Sequence, residues 1–162
     1  MTVINATPDP EAKTLTLVAE FPAAPKAVWQ LWADPRLLER WWGPPTYPAT
    51  FREHDFTVGG QAKYHMTGPE GDRSNGWWRF TALDEPNSLE FVDGFADENG
   101  NPSTEMPETT IRVDVDEIPS GTRMTITSHF ASAEQLEQLV NMGMLEGMTQ
   151  AAGQIDAILA NG

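Results

Sequence analysis

A chain of 162 residues whose 24 acidic and 10 basic side chains leave a net charge of −14 is a poor partner for nucleic acid or an anionic membrane surface, because both are polyanions. It has no cysteine, which excludes disulfides, thiolate metal sites and cysteine nucleophiles. Its apolar content of 40% is ordinary for a globular protein, no stretch nears the roughly 18 apolar residues of a membrane span, and Met1–Glu11 lacks the basic start and apolar centre of a signal peptide, so one cytoplasmic domain spanning residues 1–162 is expected.

In chain order, residues 1–11 carry no hydrophobic period and are expected to be flexible. Thr14–Phe21 alternates, with Leu15, Leu17, Ala19 and Phe21 on one face, and predicts a strand. Pro25–Ala33 predicts a short helix that brings Val28, Trp29 and Trp32 together. Asp34 can cap a second helix over Pro35–Trp42, with Pro35 at the first helical position, and Gly43-Pro44-Pro45 stops it. A helix so short is unstable alone, so its terminal Trp41-Trp42 pair must dock on something larger. Strands are expected over Tyr47–Phe56, Gln61–Met66, Asn75–Leu83 and Ser88–Phe95. The pair Thr109–Glu117 and Thr122–Phe130 follows, each alternating apolar with polar positions.

The chain ends on its only predicted long helix. Ser132 and Gln135 have capping-box spacing and mark its start. Leu136, Leu139, Val140, Gly143, Gly147, Ala151, Ile155 and Ile158 then form an apolar stripe, with Met144 and Met148 beside it. Glycine on such a stripe loses about 1 kcal/mol of helix propensity against alanine. Either the sheet approaches closely at Gly143 and Gly147, which is the simpler reading, or space is kept there for something else.

The order strand, two short helices, about six more strands and a long helix predicts an α+β fold. A curved antiparallel sheet of six to seven strands would wrap around the C-terminal helix. Several pieces, in their order and spacing, resemble one family: Phe21-Pro22-Ala23-Ala24-Pro25 leading to Val28-Trp29, the Asp34-to-Pro44 run, and Val58-Gly59-Gly60. To these are added Tyr64-His65-Met66, Gly68-Pro69-Glu70-Gly71, Gly121-Thr122-Arg123 and Gly143-to-Met148. The chain is similar to the activator of heat-shock protein 90 ATPase homologue family, within the START and birch-pollen-allergen-like helix-grip superfamily. That resemblance implies a helix-grip domain, a cavity between sheet and helix, and a chaperone or stress-response connection. The family's eukaryotic cochaperones carry a further N-terminal domain, for which 162 residues are expected to leave no room. Met148 also stands where many members place a Trp, which softens one expected cavity wall.

No metal-ligand spacing links His54, His65 and His129, and no phosphate loop, nucleophile elbow or other cofactor motif is present, so no cofactor, metal or catalytic residue is assigned. The aromatics carry more information. Of the neighbours Trp77 and Trp78 only one can face inward, and alternation with Phe80 selects Trp78. An apolar ligand site is therefore expected from Trp41, Trp42, Tyr64, Met66, Trp78, Phe80, Phe91, Phe95, Gly143, Met144, Gly147 and Met148; the same rings would also serve as ordinary core. Asp93 faces opposite to Glu90, and Arg79 on the preceding strand is its candidate polar partner inside the cavity. The acidic stretch Asp93, Asp97, Glu98, Glu105, Glu108, Asp114, Asp116 and Glu117 reads as a solvated surface before a docking face. Non-enzymatic binding of a small apolar or amphipathic molecule, by a monomer or homodimer, is the leading expectation. The alternatives are a cochaperone-like module that binds heat-shock protein 90 and a cyclase- or hydratase-type enzyme with Asp93 as acid.

Overall fold

A computed structural model describes residues 2–103 and 108–161; Glu105, counted in the acidic stretch, lies outside them. Eight strands form one antiparallel sheet in the order β1-β2-β8-β7-β6-β5-β4-β3. They are β1 (Thr2–Asp9), β2 (Thr14–Phe21), β3 (Ala49–His54), β4 (Gln61–Thr67), β5 (Arg73–Asp84), β6 (Ser88–Phe95), β7 (Thr109–Ile118) and β8 (Gly121–His129). The helices α1 (Pro25–Ala33) and α2 (Pro35–Leu38) follow β2, and α3 (Ala133–Asn141), α4 (Met144–Gly153) and α5 (Ile155–Asn161) close the chain.

The count exceeds the expected six to seven strands because residues 2–9 are a strand and not a flexible tail. They pair antiparallel with β2 from Thr2↔Glu20 to Asp9↔Thr14. The connecting turn is local chemistry: the Asp9 carboxylate accepts from the backbone N–H of Glu11 and Ala12, and Lys13 takes a positive φ of 59°. An edge strand held by its backbone ladder leaves no apolar period to read.

Elsewhere alternation and burial agree. Thr109, Ile111, Val113 and Val115 of β7 are buried on one face. Asp34 caps α2 by accepting from the Arg36 N–H at 2.9 Å, but the helix ends at Leu38, four residues before the predicted Trp42. The reason lies in what its side chains do. Glu39 accepts from the Phe51 N–H (2.8 Å) and Arg36 donates to the Phe51 carbonyl (3.1 Å), so this segment is moored to the β3 edge as a turn. Trp41 then donates its indole N–H to the Leu31 carbonyl at 3.0 Å and disappears into the core.

The expected single long helix is broken twice. Its start is as read: Ser132 accepts from the Gln135 N–H, and the Gln135 side chain accepts from the Ala131 N–H. Gly143, at φ +93°, is left-handed and separates α3 from α4. Gln154 separates α4 from α5 and donates its side-chain amide to the carbonyls of Trp41 and Gly43. Two apolar clusters result. The larger lies under α1, α2 and α5 and includes Trp32, Trp78, Phe91, Ile126 and Ile155. The smaller joins Leu15 and Phe130 to Leu136 and Leu139 of α3.

Candidate functional site

Where α3 turns into α4, the helices do not fill the space above the sheet. A cavity of about 350 Å³ remains there. Its walls are the Trp41-Trp42 turn, the inner faces of β4 to β8 and the α3–α4 junction. Gly147 explains part of the opening: a Cβ built at this position meets nothing within 4 Å. Close helix–sheet packing, the simpler of the two readings of this stripe, is therefore not what the glycine serves. Gly143 likewise has open space, but its positive φ is the stronger reason for glycine there.

The lining is mostly apolar; Ser74, Asn75 and Thr109 are its uncharged polar members, and its ionisable side chains meet at one corner. Tyr64 on β4 lies opposite Gly76 on β5, and a Cβ on Gly76 would collide with the Tyr64 ring and hydroxyl. The missing side chain lets the phenol cross β5 and donate to the Asp93 carboxyl on β6 at 3.0 Å. Burial raises the Asp93 pKa from 3.8 to about 7, against the lowering effect of the Tyr64 hydrogen bond and the Trp78 indole. Burial also holds the Tyr64 phenol well above its ordinary range, with the Asp93 charge adding to the effect. The indole Nε1–H groups of Trp42 and Trp78 are buried without a hydrogen-bond partner. Both lie close enough to the Tyr64 hydroxyl to lower its pKa, and Trp78 does the same for Asp93, yet neither meets an acceptor at hydrogen-bonding geometry.

The expected residues divide by depth. Trp41, Trp42, Tyr64, Met66, Phe95, Asp93, Gly143, Met144, Gly147 and Met148 line the cavity. Trp78, Phe80 and Phe91 do not reach it. They are fully buried behind its wall, where Trp78 and Phe91 stack at 4.1 Å and Trp42 meets Trp78 edge-on at 4.7 Å. Arg79 is a correction. Asp93 pairs with Trp78 in the ladder, so Arg79 points to the opposite face, exposed, with its guanidinium 5.9 Å from the Trp77 ring centre. The partner of Asp93 is Tyr64, two strands away, which needed the register and Gly76 to be seen. Ile111, Ile126 and Leu139 also line the cavity; they stood on the right faces of their elements but carried no separate signal. Met142, 60% exposed beside the opening, had none. Among the described residues no group of three histidine or carboxylate side chains could hold a metal, and no helix is long and apolar enough to cross a membrane.

An antiparallel sheet, a C-terminal helical segment and a cavity between them define a helix-grip domain of the START-like class. Residues 22–160 match the model of the Activator of Hsp90 ATPase homolog 1-like protein family, and the chain belongs to that family. Among solved structures, a protein from Arthrobacter aurescens determined by solution NMR is 53% identical, with a TM-score of 0.94 over 99% of this chain and 94% of that one. A crystal structure from Mycobacterium smegmatis is 47% identical, with a TM-score of 0.90 over 98% of this chain and 97% of its own. A Rhodobacter sphaeroides protein at 24% identity shares the fold, with a TM-score of 0.83 over 97% of this chain and 98% of its own. No curated protein matches the chain.

Proposed function

We propose that the protein binds a small hydrophobic or amphipathic molecule in the cavity between the sheet and α3–α4, without converting it. The observation that carries this reading is the open space over Gly147, on a helix face that would gain stability from any larger side chain that packed. Met144 and Met148 beside it are flexible and suit an adaptable wall. A volume of about 350 Å³ falls in the range of small-ligand sites. Against catalysis stands the lining itself: apart from Asp93 and Tyr64, no ionisable side chain among the described residues faces the cavity. Within the acidic surface Arg112 meets Asp114 at 3.2 Å with both side chains partly exposed, which is how a solvated face behaves.

The test is mass spectrometry of organic extracts from protein purified without denaturation. A small apolar molecule in near-stoichiometric amount, absent from identically prepared Gly147→Phe protein, is the expected result. An empty parent that apolar probes also fail to stabilise would contradict it.

A further inference from the structure

The polar corner of the cavity has an imbalance that the protein alone does not resolve. Trp42, Tyr64, Trp78 and Asp93 meet there, with Thr109 opposite Asp93 on β7. Tyr64 uses its proton on one Asp93 oxygen. The indole N–H groups of Trp42 and Trp78 are buried and unpartnered; both lie close to the Tyr64 hydroxyl, and Trp78 also lies close to Asp93. The groups gathered around the Asp93 carboxyl are therefore donors, and the hydrogen bond among them runs from Tyr64 to Asp93. Asp93 lines the cavity, and its second oxygen has no side-chain partner among the described residues. No cation faces it: β5 brings Trp78, β7 brings Thr109 and Ile111, and α4 brings Gly147 and Met148.

We propose that Asp93, backed by Tyr64, Trp42 and Trp78, is a hydrogen-bond donor that takes the carbonyl oxygen of an uncharged, otherwise apolar ligand. This rests on the cavity being a ligand site and adds the chemistry of the ligand's polar end. A carboxyl group in this setting favours its neutral form, because burial disfavours the anion and no cation offsets it. The neutral acid has one O–H to give, and a ketone, aldehyde, ester or quinone oxygen can accept without bringing charge into the cavity. A ligand carboxylate would set a second negative charge beside the acid. An ammonium group would need Asp93 ionised, against the burial that disfavours the anion.

Three probes of one shape separate the outcomes: a naphthyl methyl ketone, ethylnaphthalene and naphthylethylamine, titrated by calorimetry into the full chain and its variants. At about pH 6 the ketone should bind roughly tenfold more tightly than the hydrocarbon, the worth of one good buried hydrogen bond. That preference should fade as the pH rises above about 7, where Asp93 loses its proton. Asp93→Asn, whose amide also donates, should keep the ketone preference and lose its pH dependence. Asp93→Leu should abolish the preference while ethylnaphthalene still binds. Equal binding of ketone and hydrocarbon by the parent would overturn the proposal and leave the cavity reading standing. Tighter binding of the amine, growing with pH and lost in Asp93→Asn, would also overturn it and assign Asp93 to a cationic ligand. Failure of all three probes would remove the cavity reading and this proposal together.

Discussion

A carboxyl group placed in a mostly apolar wall makes stability depend on pH in a direction opposite to that of a surface aspartate. The unfolded Asp93 ionises near 3.8 and the folded one near about 7. Between these values the folded state holds a proton that the unfolded state has released. The stabilisation is therefore complete below the lower value and is lost as the pH rises through the upper one. Asp93→Asn has no proton to lose, so its stability relative to the parent should improve by up to about 4 kcal/mol between pH 4 and pH 8. Denaturant melts across that range decide it; a constant difference would mean that Asp93 titrates alike in the folded and unfolded states. Gly76 is the second telling residue. Gly76→Ala sets a methyl group against the Tyr64 ring, and about 1–3 kcal/mol of stability should go with the strain of moving it. If chemical denaturation shows the variant as stable as the parent, the phenol does not cross β5 at that point. Neither residue was readable alone. Asp93 was picked out by strand parity, but its partner was assigned to Arg79 because sequence gives the parity of a strand and not the register between strands. The register puts Trp78 opposite Asp93 and turns Arg79 outward.

Among the elements, the closing helical segment shows most clearly what a periodic pattern can hide. Its apolar stripe runs at helical spacing from Leu136 to Ile158, and its start was legible through Ser132, which accepts from the Gln135 N–H while the Gln135 side chain accepts from Ala131. The breaks at Gly143 and Gln154 were not, because a stripe continues in phase across a short interruption. The first break arises from a backbone angle that glycine permits, and the second coincides with side-chain hydrogen bonds to Trp41 and Gly43 on another segment. Likewise β1 was missed because a strand bonded along one edge needs no apolar face. Within α4, Gly147 has helical geometry and open space. Gly147→Ala should accordingly raise stability by up to about 1 kcal/mol through helix propensity. A lowered melting temperature would show that the sheet or a side chain comes closer to that position than 4 Å.

At the scale of the molecule, two apolar clusters stand on the sheet and the cavity lies where they part. In the sequence, aromatic side chains as numerous as Trp29, Trp32, Trp41, Trp42, Tyr64 and Trp78 left an ordinary core and a lined space equally open. Both proved present: Trp29, Trp32 and Trp78 are core, while Trp41 and Trp42 also line the cavity. A net charge of −14 repels polyanions. Duplex DNA should show no measurable retention in a gel-shift assay at physiological salt, where screening leaves a Debye length of about 8 Å. A shifted band that fades steeply with added salt would reveal a basic patch.

The central claim is that the space over Gly147 is a binding site. It is tested most directly by titrating an environment-sensitive apolar dye into the parent and into Gly147→Phe, with a thermal melt of each. A parent that binds the dye and a cooperatively folding Gly147→Phe that does not is the predicted result. Equal dye binding by both folded proteins, or none by the parent, would contradict it.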